Sequence, residues 1–173
     1  MLGTGHPFAF TKGKSADKLP SQKKCAVVGN SGILLNSNCG DEINSNDFVI
    51  RCNAPEIENY SRDVGNKTNI TNINFTRVRE LYRHITNNSE LPEQLGNYCY
   101  LNNTMVWTFG QSYRVQWLDE SIEFLKNQYN LVFNIAYTGD DASYQKIVKS
   151  FKLHRDPSAG MMSVSVALNL CKE

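Results

Sequence analysis

No stretch of this 173-residue chain approaches 18 consecutive apolar residues, so the sequence contains no transmembrane helix. The first ten residues, Met1 to Phe10, are too polar and carry too short an apolar run for a signal peptide. Neither sign of charge is in excess: Lys and Arg total 18 against 17 Asp and Glu, for a net charge of +1. Charge balance therefore gives no pointer to nucleic acid or to a membrane surface, although a local anion pocket would not register in it. There is no Cys-x-x-Cys pair, which weakens a zinc or thioredoxin-type reading. There is also no G-x-x-x-x-G-K-[ST] loop, no internal repeat, no low-complexity tract and no linker that would divide residues 24–173.

Two features that are present point to the secretory lumen and to a targeting segment outside this sequence. The pattern Asn-x-Ser/Thr occurs six times, at Asn59, Asn66, Asn69, Asn74, Asn87 and Asn102; general richness in Asn and Thr is the plain alternative. The cysteines are scattered, at Cys25, Cys39, Cys52, Cys99 and Cys171, as in chains that form disulfides. Five is odd, so at least one thiol is free or has its partner elsewhere.

Residues 1–23 read as a flexible N-terminal segment of Gly, Pro, Lys and Ser without periodicity. Beyond them the apolar pattern alternates. Cys25 to Val28 reads as a strand, Gly29–Gly32 as a tight turn, and Ile33 to Leu35 as the start of a helix. A short helix follows at Asp41 to Ile43, with strands at Phe48 to Cys52, Ile70 to Phe75, Met105 to Phe109 and Leu131 to Tyr137. Helices are expected over Arg77 to Ile85, 114–129 and Tyr144 to Phe151, and a buried helix over Met161 to Leu170. Strands that are continuously apolar and alternate with helices predict an α/β fold: a mostly parallel sheet covered on both faces.

In such sheets ligands bind beyond the carboxyl ends of the strands. The first strand ends in Gly29-Asn30-Ser31-Gly32, where glycines admit a ligand to the backbone and a following helix would offer unpaired N–H groups to an anion. A plain tight turn is the competing reading. The dinucleotide fingerprint is not met, because its third glycine position falls on Leu34. The second strand ends in Asn53 and the third in Asn74, and an amide that donates and accepts suits a base, a ribose or a phosphate. Turn-forming Asn is common, yet Asn30, Asn53 and Asn74 stand on successive strand ends. Ser158 and Gly160 open the last helix and offer a second helix N-terminus.

The run Cys25-Ala-Val-Val-Gly-Asn-Ser-Gly-Ile-Leu-Leu, continued through Phe48-Val-Ile-Arg-Cys-Asn-Ala-Pro to Arg62-Asp-Val-Gly-Asn-Lys-Thr, resembles the large sialyl motif. Asp156-Pro-Ser-Ala-Gly-Met-Met through Leu170-Cys-Lys-Glu resembles the start of the small sialyl motif. The wording is closest to the α2,8 branch, which includes polysialyltransferase-like members, of the animal sialyltransferase family. These blocks cover under half the chain; residues 77–152 match only by element order.

The resemblance implies a Rossmann-like (GT-A-like variant) fold that is incomplete at its C-terminus, with residues 24–173 forming the donor-binding part of one catalytic domain. It implies metal-independent, inverting transfer of sialic acid from CMP-sialic acid to a glycan hydroxyl, here a terminal sialic acid in α2,8 linkage on glycoprotein or glycolipid. No cofactor beyond the donor and no nucleic acid is expected, and Golgi membrane placement on the luminal side would need an anchor not visible here. By motif position Asn30, Asn53 and Asn74 would contact the donor, with Ser158, Ala159 and Gly160 beside it. Cys25 would pair with Cys171, Cys39 with a cysteine beyond Glu173, and Cys52 would stay free; Cys99 has no assignment.

The family's general base is a His in a later motif, expected beyond Glu173, so the chain alone is expected to be inactive. His154 is the one nearby alternative and lies outside that motif; His6 and His84 have no support as catalysts. Two departures bear on donor binding: Asp156 stands where the family usually has Arg, and Ala159 where it has Ser or Thr. They favour the alternative of a non-catalytic relative that binds nucleotide or sialoglycan. A nicotinamide-dependent oxidoreductase is a further alternative, from element order alone. Asn74 is both a sequon and a donor contact, so Asn87 and Asn102 are the expected glycosylation sites and Asn74 is expected to be bare.

Overall fold

The structure is a computed structural model and describes residues 19–87, 98–109, 112–138 and 141–173. Five strands, β1 (Cys25–Val28), β2 (Phe48–Cys52), β3 (Ile70–Asn72), β4 (Met105–Phe109) and β5 (Asn134–Thr138), form one sheet in the order β1-β2-β3-β4-β5. All four pairings are parallel, with Cys25 opposite Phe48, Ile50 opposite Ile70, Ile70 opposite Met105 and Met105 opposite Asn134. The helices are α1 (Gly40–Asn44), α2 (Ser61–Val64), α3 (Phe75–Thr86), α4 (Ser112–Tyr129), α5 (Asp141–Ser150) and α6 (Ala159–Leu170).

Side chains alternate across the sheet with a period of two, and each face collects its own core. On one face Phe48, Ile50, Ile70, Trp107 and Ala136 meet Ile147 of α5 and Met162, Val166 and Leu170 of α6. On the other, Val106 and Tyr137 meet Val78 of α3 with Leu118 and Ile122 of α4, while Val28 and Val49 meet Ile43 of α1. The crossover helices α1, α3 and α4 thus share one face, and α5 and α6, which follow the last strand, cover the opposite one. The α/β fold with helices on both faces is as the sequence pattern predicts.

Four boundaries differ from the sequence reading. The expected third strand over 70–75 stops at Asn72, because Asn74 turns the chain and its Oδ1 accepts the Arg77 N–H at 3.0 Å, capping α3. Helix α3 accordingly begins at Phe75 and not at Arg77. The helix expected at Ile33 is a single 3-10 turn, Gly32–Leu34. The strand expected from Leu131 begins at Asn134, since Leu131 packs between α3 and α4 against Leu81 and Leu125. Residues 1–18 of the segment expected to be flexible lie outside the described residues.

Two devices close the structure. The first joins its ends: Cys25 and Cys171 form a disulfide across a separation of 146 residues. The pairing that the motif resemblance implied is therefore made. Around it the backbone zips, Gln22 N–H to Leu170 O at 2.8 Å, Cys25 N–H to Glu173 O at 2.9 Å and Glu173 N–H to Lys23 O at 2.9 Å. The second is Arg51, fully buried in β2. Its Nε donates to Thr68 Oγ1 at 2.9 Å and Lys67 O at 3.2 Å, and Nη2 to the carbonyls of Val64 (2.8 Å), Gly65 (3.1 Å) and Lys67 (3.0 Å). No carboxylate partner stands among the described residues, so carbonyl dipoles carry the charge. Burial lowers the guanidinium pKa from its ordinary value, with the Tyr100 phenol acting in the opposite direction.

The α2–β3 connection that Arg51 holds is also tight. Gly65 has φ +67°, and a Cβ there would stand 2.5 Å from Asn44 Oδ1; one on Gly40 would stand 2.3 Å from Ser61 O. Close approach of α1 and α2 thus demands glycine at both positions.

Replacing Cys171 by Ser is expected to cost about 2–5 kcal/mol, since chain entropy values so long a loop at about 5 kcal/mol; urea unfolding with and without reductant checks this. Arg51→Met is expected to cost about 3 kcal/mol or more by stranding buried carbonyls, and Arg51→Lys to recover only part of it. Comparison of the two urea midpoints tests the bonding assigned to the guanidinium.

Candidate functional site

Because the strands are parallel, β1, β2 and β3 all end on the same edge, and the amino end of α6 meets them there. Asn30, Asn53, Asn72, Asn74, Ser158 and Ala159 gather at this edge through a chain of hydrogen bonds. Asn30 Nδ2 donates to Cys52 O at 2.7 Å, linking the ends of β1 and β2. The Asn53 N–H donates to Asn72 O at 2.6 Å, and Asn53 Oδ1 accepts the Asn74 N–H at 2.9 Å. Asn72 Nδ2 donates to Ala159 O at 2.9 Å, joining β3 to α6. Ser158 caps α6, its Oγ accepting the Met161 N–H at 3.2 Å.

The backbone here takes a form that suits asparagine. Asn53 has φ +59° and Ala54 φ +45°, ahead of Pro55. Asn enters the left-handed region more readily than other non-glycine residues, whereas Ala54, which is buried, sits there under strain. Backbone strain of this kind is held only where the surroundings over-determine it, and it concentrates at binding sites. Asn30 Oδ1 and Asn53 Nδ2 have no partner among the described residues, so an acceptor and a donor remain for a ligand.

Asn74 is the corrected member of the trio. It does not end a strand, and its Oδ1 is used in capping α3. The turn after β1 also departs from expectation, because a single 3-10 turn does not present the row of free N–H groups that a helix N-terminus would. The helix N-termini at this edge are those of α3, capped by Asn74, and α6, capped by Ser158. A Cβ on Gly29 would meet nothing within 4 Å, and one on Gly160 only Ser158 Oγ at 3.7 Å, so packing requires glycine at neither. A cleft of about 230 Å³ opens beside the 29–32 turn, between Leu34, Leu35, Pro55, Ile57 and Tyr60.

Asn72 was not among the residues singled out from the sequence, although it is fully buried and ties α6 to the strand ends. Its place in an apparently continuous Ile-Thr-Asn-Ile-Asn-Phe strand hid it; recognising Asn74 as a helix cap would have exposed it as the strand's last residue. Beneath it Cys52 Sγ lies 3.4 Å from Ser163 Oγ. Burial raises the Cys52 thiol pKa, with the Ser163 hydroxyl opposing, so this free cysteine is an unreactive core residue.

Ala159 engages Asn72 through its carbonyl, a contact that needs no hydroxyl on its side chain. Asp156 is exposed just before the α6 cap, and His154 is exposed in the same connection. His84 lies in the last turn of α3, and His6 falls outside the described residues. Cys39 and Cys99 are free among the described residues. Asn87 and Asn102 are exposed, Asn87 at the C-cap of α3. Among the described residues no three His, Cys, Asp or Glu side chains group as a metal cluster, and no helix is long and apolar enough to cross a membrane.

Comparison with known proteins gives the same fold. A crystal structure of a mammalian sialyltransferase superposes with a TM-score of 0.61 at 24% identity, over 88% of this chain and 52% of that one. A second, in complex with Gal-beta-1-3GalNAc-ortho-nitrophenol, gives 0.57 at 24% identity, over 87% and 53%. In sequence the chain is 34% identical over 163 residues to alpha-2,8-sialyltransferase 8E of Rattus norvegicus, covering 87% of this chain and 41% of that protein. It is 56% identical over 64 residues to the Homo sapiens protein of that name, covering 36% and 17%. The chain thus spans less than half the length of these relatives. The family description Glycosyltransferase family 29 (sialyltransferase) matches residues 8–173, nearly the whole chain, and on that match the chain belongs to the sialyltransferase family.

Proposed function

We propose that this chain is the donor-binding part of an enzyme that transfers sialic acid from CMP-sialic acid to a glycan hydroxyl. The observation that carries this reading is the pair of unsatisfied amide atoms, Asn30 Oδ1 and Asn53 Nδ2, at the carboxyl edge of a parallel sheet in a chain of this family. The amide of Asn30, that of Asn53, and the capped end of α6 at Ser158, Ala159 and Gly160 would hold the cytidine monophosphate group. Asn74 would act from behind, through its backbone bond to Asn53. The relatives' names point to an α2,8 linkage, hence to a terminal sialic acid as acceptor on glycoprotein or glycolipid.

In the reaction an acceptor oxygen attacks the anomeric carbon of sialic acid as that carbon's bond to CMP breaks, with inversion and with no metal required. The hydroxyl proton needs a base. His84 is in the last turn of α3, at the end of the sheet away from this edge, and His154 is exposed on a connection. The motif resemblance implies a base histidine in a later motif of the family, and residues 1–173 without that motif are expected not to turn over. Family membership removes the nicotinamide-dependent alternative. The Cys25–Cys171 disulfide supports an oxidising, luminal location, and membership of the family is the ground for proposing the Golgi lumen and a membrane anchor.

Titration with CMP is expected to show binding by the chain. Asn30→Ala and Asn53→Ala should each weaken it by about 1–2 kcal/mol, roughly 5–30-fold in Kd, with the circular dichroism spectrum retained. Unchanged affinity in both variants would overturn the donor assignment. Asp156→Arg, which restores a positive charge beside α6, is expected to tighten CMP binding a few-fold at low salt and to lose that gain near 1 M salt. A gain that persists at high salt would show that charge is not its cause. Binding of CMP without transfer in a protein that includes the later motifs would support the non-catalytic alternative.

A further inference from the structure

The six sequons divide by the edge of the sheet on which they fall. Asn59 and Asn74 lie at the carboxyl edge: Asn59 follows β2, and its Nδ2 donates to Glu56 Oε1 at 2.5 Å; Asn74 caps α3. Asn69 is half-buried against β2, where its Oδ1 accepts the Val49 N–H at 2.8 Å. Asn66 and Asn102 differ from all three. They combine exposure, which Asn59 shares, with a place in the connections that lead into the amino ends of strands, Asn66 before β3 and Asn102 before β4. The five-residue strand β4, about 16 Å long, stands between Asn102 and the carboxyl edge, and the three-residue strand β3 stands between Asn66 and that edge.

The local geometry leaves their amide nitrogens open. The side chain of Asn66 makes no hydrogen bond among the described residues, while its backbone is held by Asn44 Oδ1 at 3.0 Å. Asn102 is held by its oxygen alone, Oδ1 accepting the Val132 N–H at 2.9 Å, which orients the side chain and leaves Nδ2 toward solvent. Residues 88 and 89 of the Asn87 sequon lie outside the described residues, so Asn87 takes no part in this assignment.

We infer that Asn66 and Asn102 are the N-glycosylated residues among these five, so that glycans project from the edge of the sheet opposite the donor site. The modification forms a bond from Asn Nδ2 to the anomeric carbon of an oligosaccharide. It breaks that carbon's bond to the pyrophosphate of a lipid carrier, the donor class the step requires; the lipid pyrophosphate leaves and one Nδ2 proton passes to solvent. The assignment rests on the luminal placement proposed above. It changes one expectation from the sequence by adding Asn66, whose sequon hydroxyl has a second role: Thr68 Oγ1 accepts from Arg51. The sequon is therefore best removed at Asn66, not at Thr68.

The test is to secrete the full chain from eukaryotic cells and release glycans with an amidase in heavy-oxygen water, which converts each glycosylated Asn to labelled Asp for peptide mapping. Label is expected at Asn66 and Asn102 and not at Asn59, Asn69 or Asn74. Asn66→Gln and Asn102→Gln should each remove one glycan-sized gel step, and both together should leave CMP affinity unchanged. Label at Asn59, Asn69 or Asn74, or a bare Asn66 or Asn102, overturns the assignment at that residue. If Cys25–Cys171 is oxidised and both sites are bare, the glycan inference fails while the luminal and donor-binding readings stand. If both are occupied and CMP does not bind, the proposed function fails and the glycan assignment stands.

Discussion

A parallel sheet whose strands follow chain order gathers its crossovers on one side and leaves the other side bare until the chain returns to cover it. Here α6 makes most of that cover over β1 and β2. Without it Phe48, Ile50, Ile70 and Trp107 would face water, at about 25 cal/mol for each Å² of apolar surface left unburied. The helix is fixed at both ends. Its last residues are held to β1 by the Cys25–Cys171 bond and by backbone pairing with residues 22–25, and its first residue by the Asn72 amide. The same fixation sets the capped end of α6 at the edge where β1, β2 and β3 finish. Covering the core and building the candidate site are thus one structural act.

Asparagine serves three separate purposes at that edge. Asn72 is buried and structural, Asn74 caps a helix, and Asn53 accepts a left-handed backbone while presenting a free donor. One residue type suffices because a short amide can satisfy its own neighbourhood and still have one hydrogen-bonding atom left over. Arg51 turns Nε and Nη2 onto carbonyls and a hydroxyl of the crossover it anchors, while its buried Nη1 has no partner among the described residues. It also lines the cleft beside the 29–32 turn.

Much of this was legible in the sequence, for identifiable reasons. The strands at Cys25–Val28 and Phe48–Cys52 announce themselves because they are almost wholly apolar, β2 being buried along its whole length and β1 partly so at the sheet's edge. Helix α3 shows its stripe of Val78, Leu81 and Ile85, and the motif wording implied the Cys25–Cys171 pair. What was not legible depended on where a hydrogen-bonding ladder stops. The alternation Ile70-Thr71-Asn72-Ile73-Asn74 continues past the end of β3, so periodicity alone overran it and misplaced Asn74. Gly32 to Leu34 has helix-forming neighbours, but only one turn forms before Leu35 and Asn36 leave the helical region. The burial of Arg51 has no local signature, because its partners lie 13 to 17 residues later.

The pairing of residues 22–25 with 170–173 has a consequence for how the molecule comes into being. These contacts join residues about 146 positions apart, and loop-closure entropy must be met before they return any stability. On a ribosome the strands emerge in their final order, yet the face above Phe48 and Ile50 stays uncovered until α6 has been made. Between the synthesis of β2 and that of α6 the growing chain therefore presents an open apolar face, which is the kind of surface that chaperones bind and that aggregates when they do not. The bond between Cys25 and Cys171 can form only after residue 171 has been made, and it then holds α6 over that face.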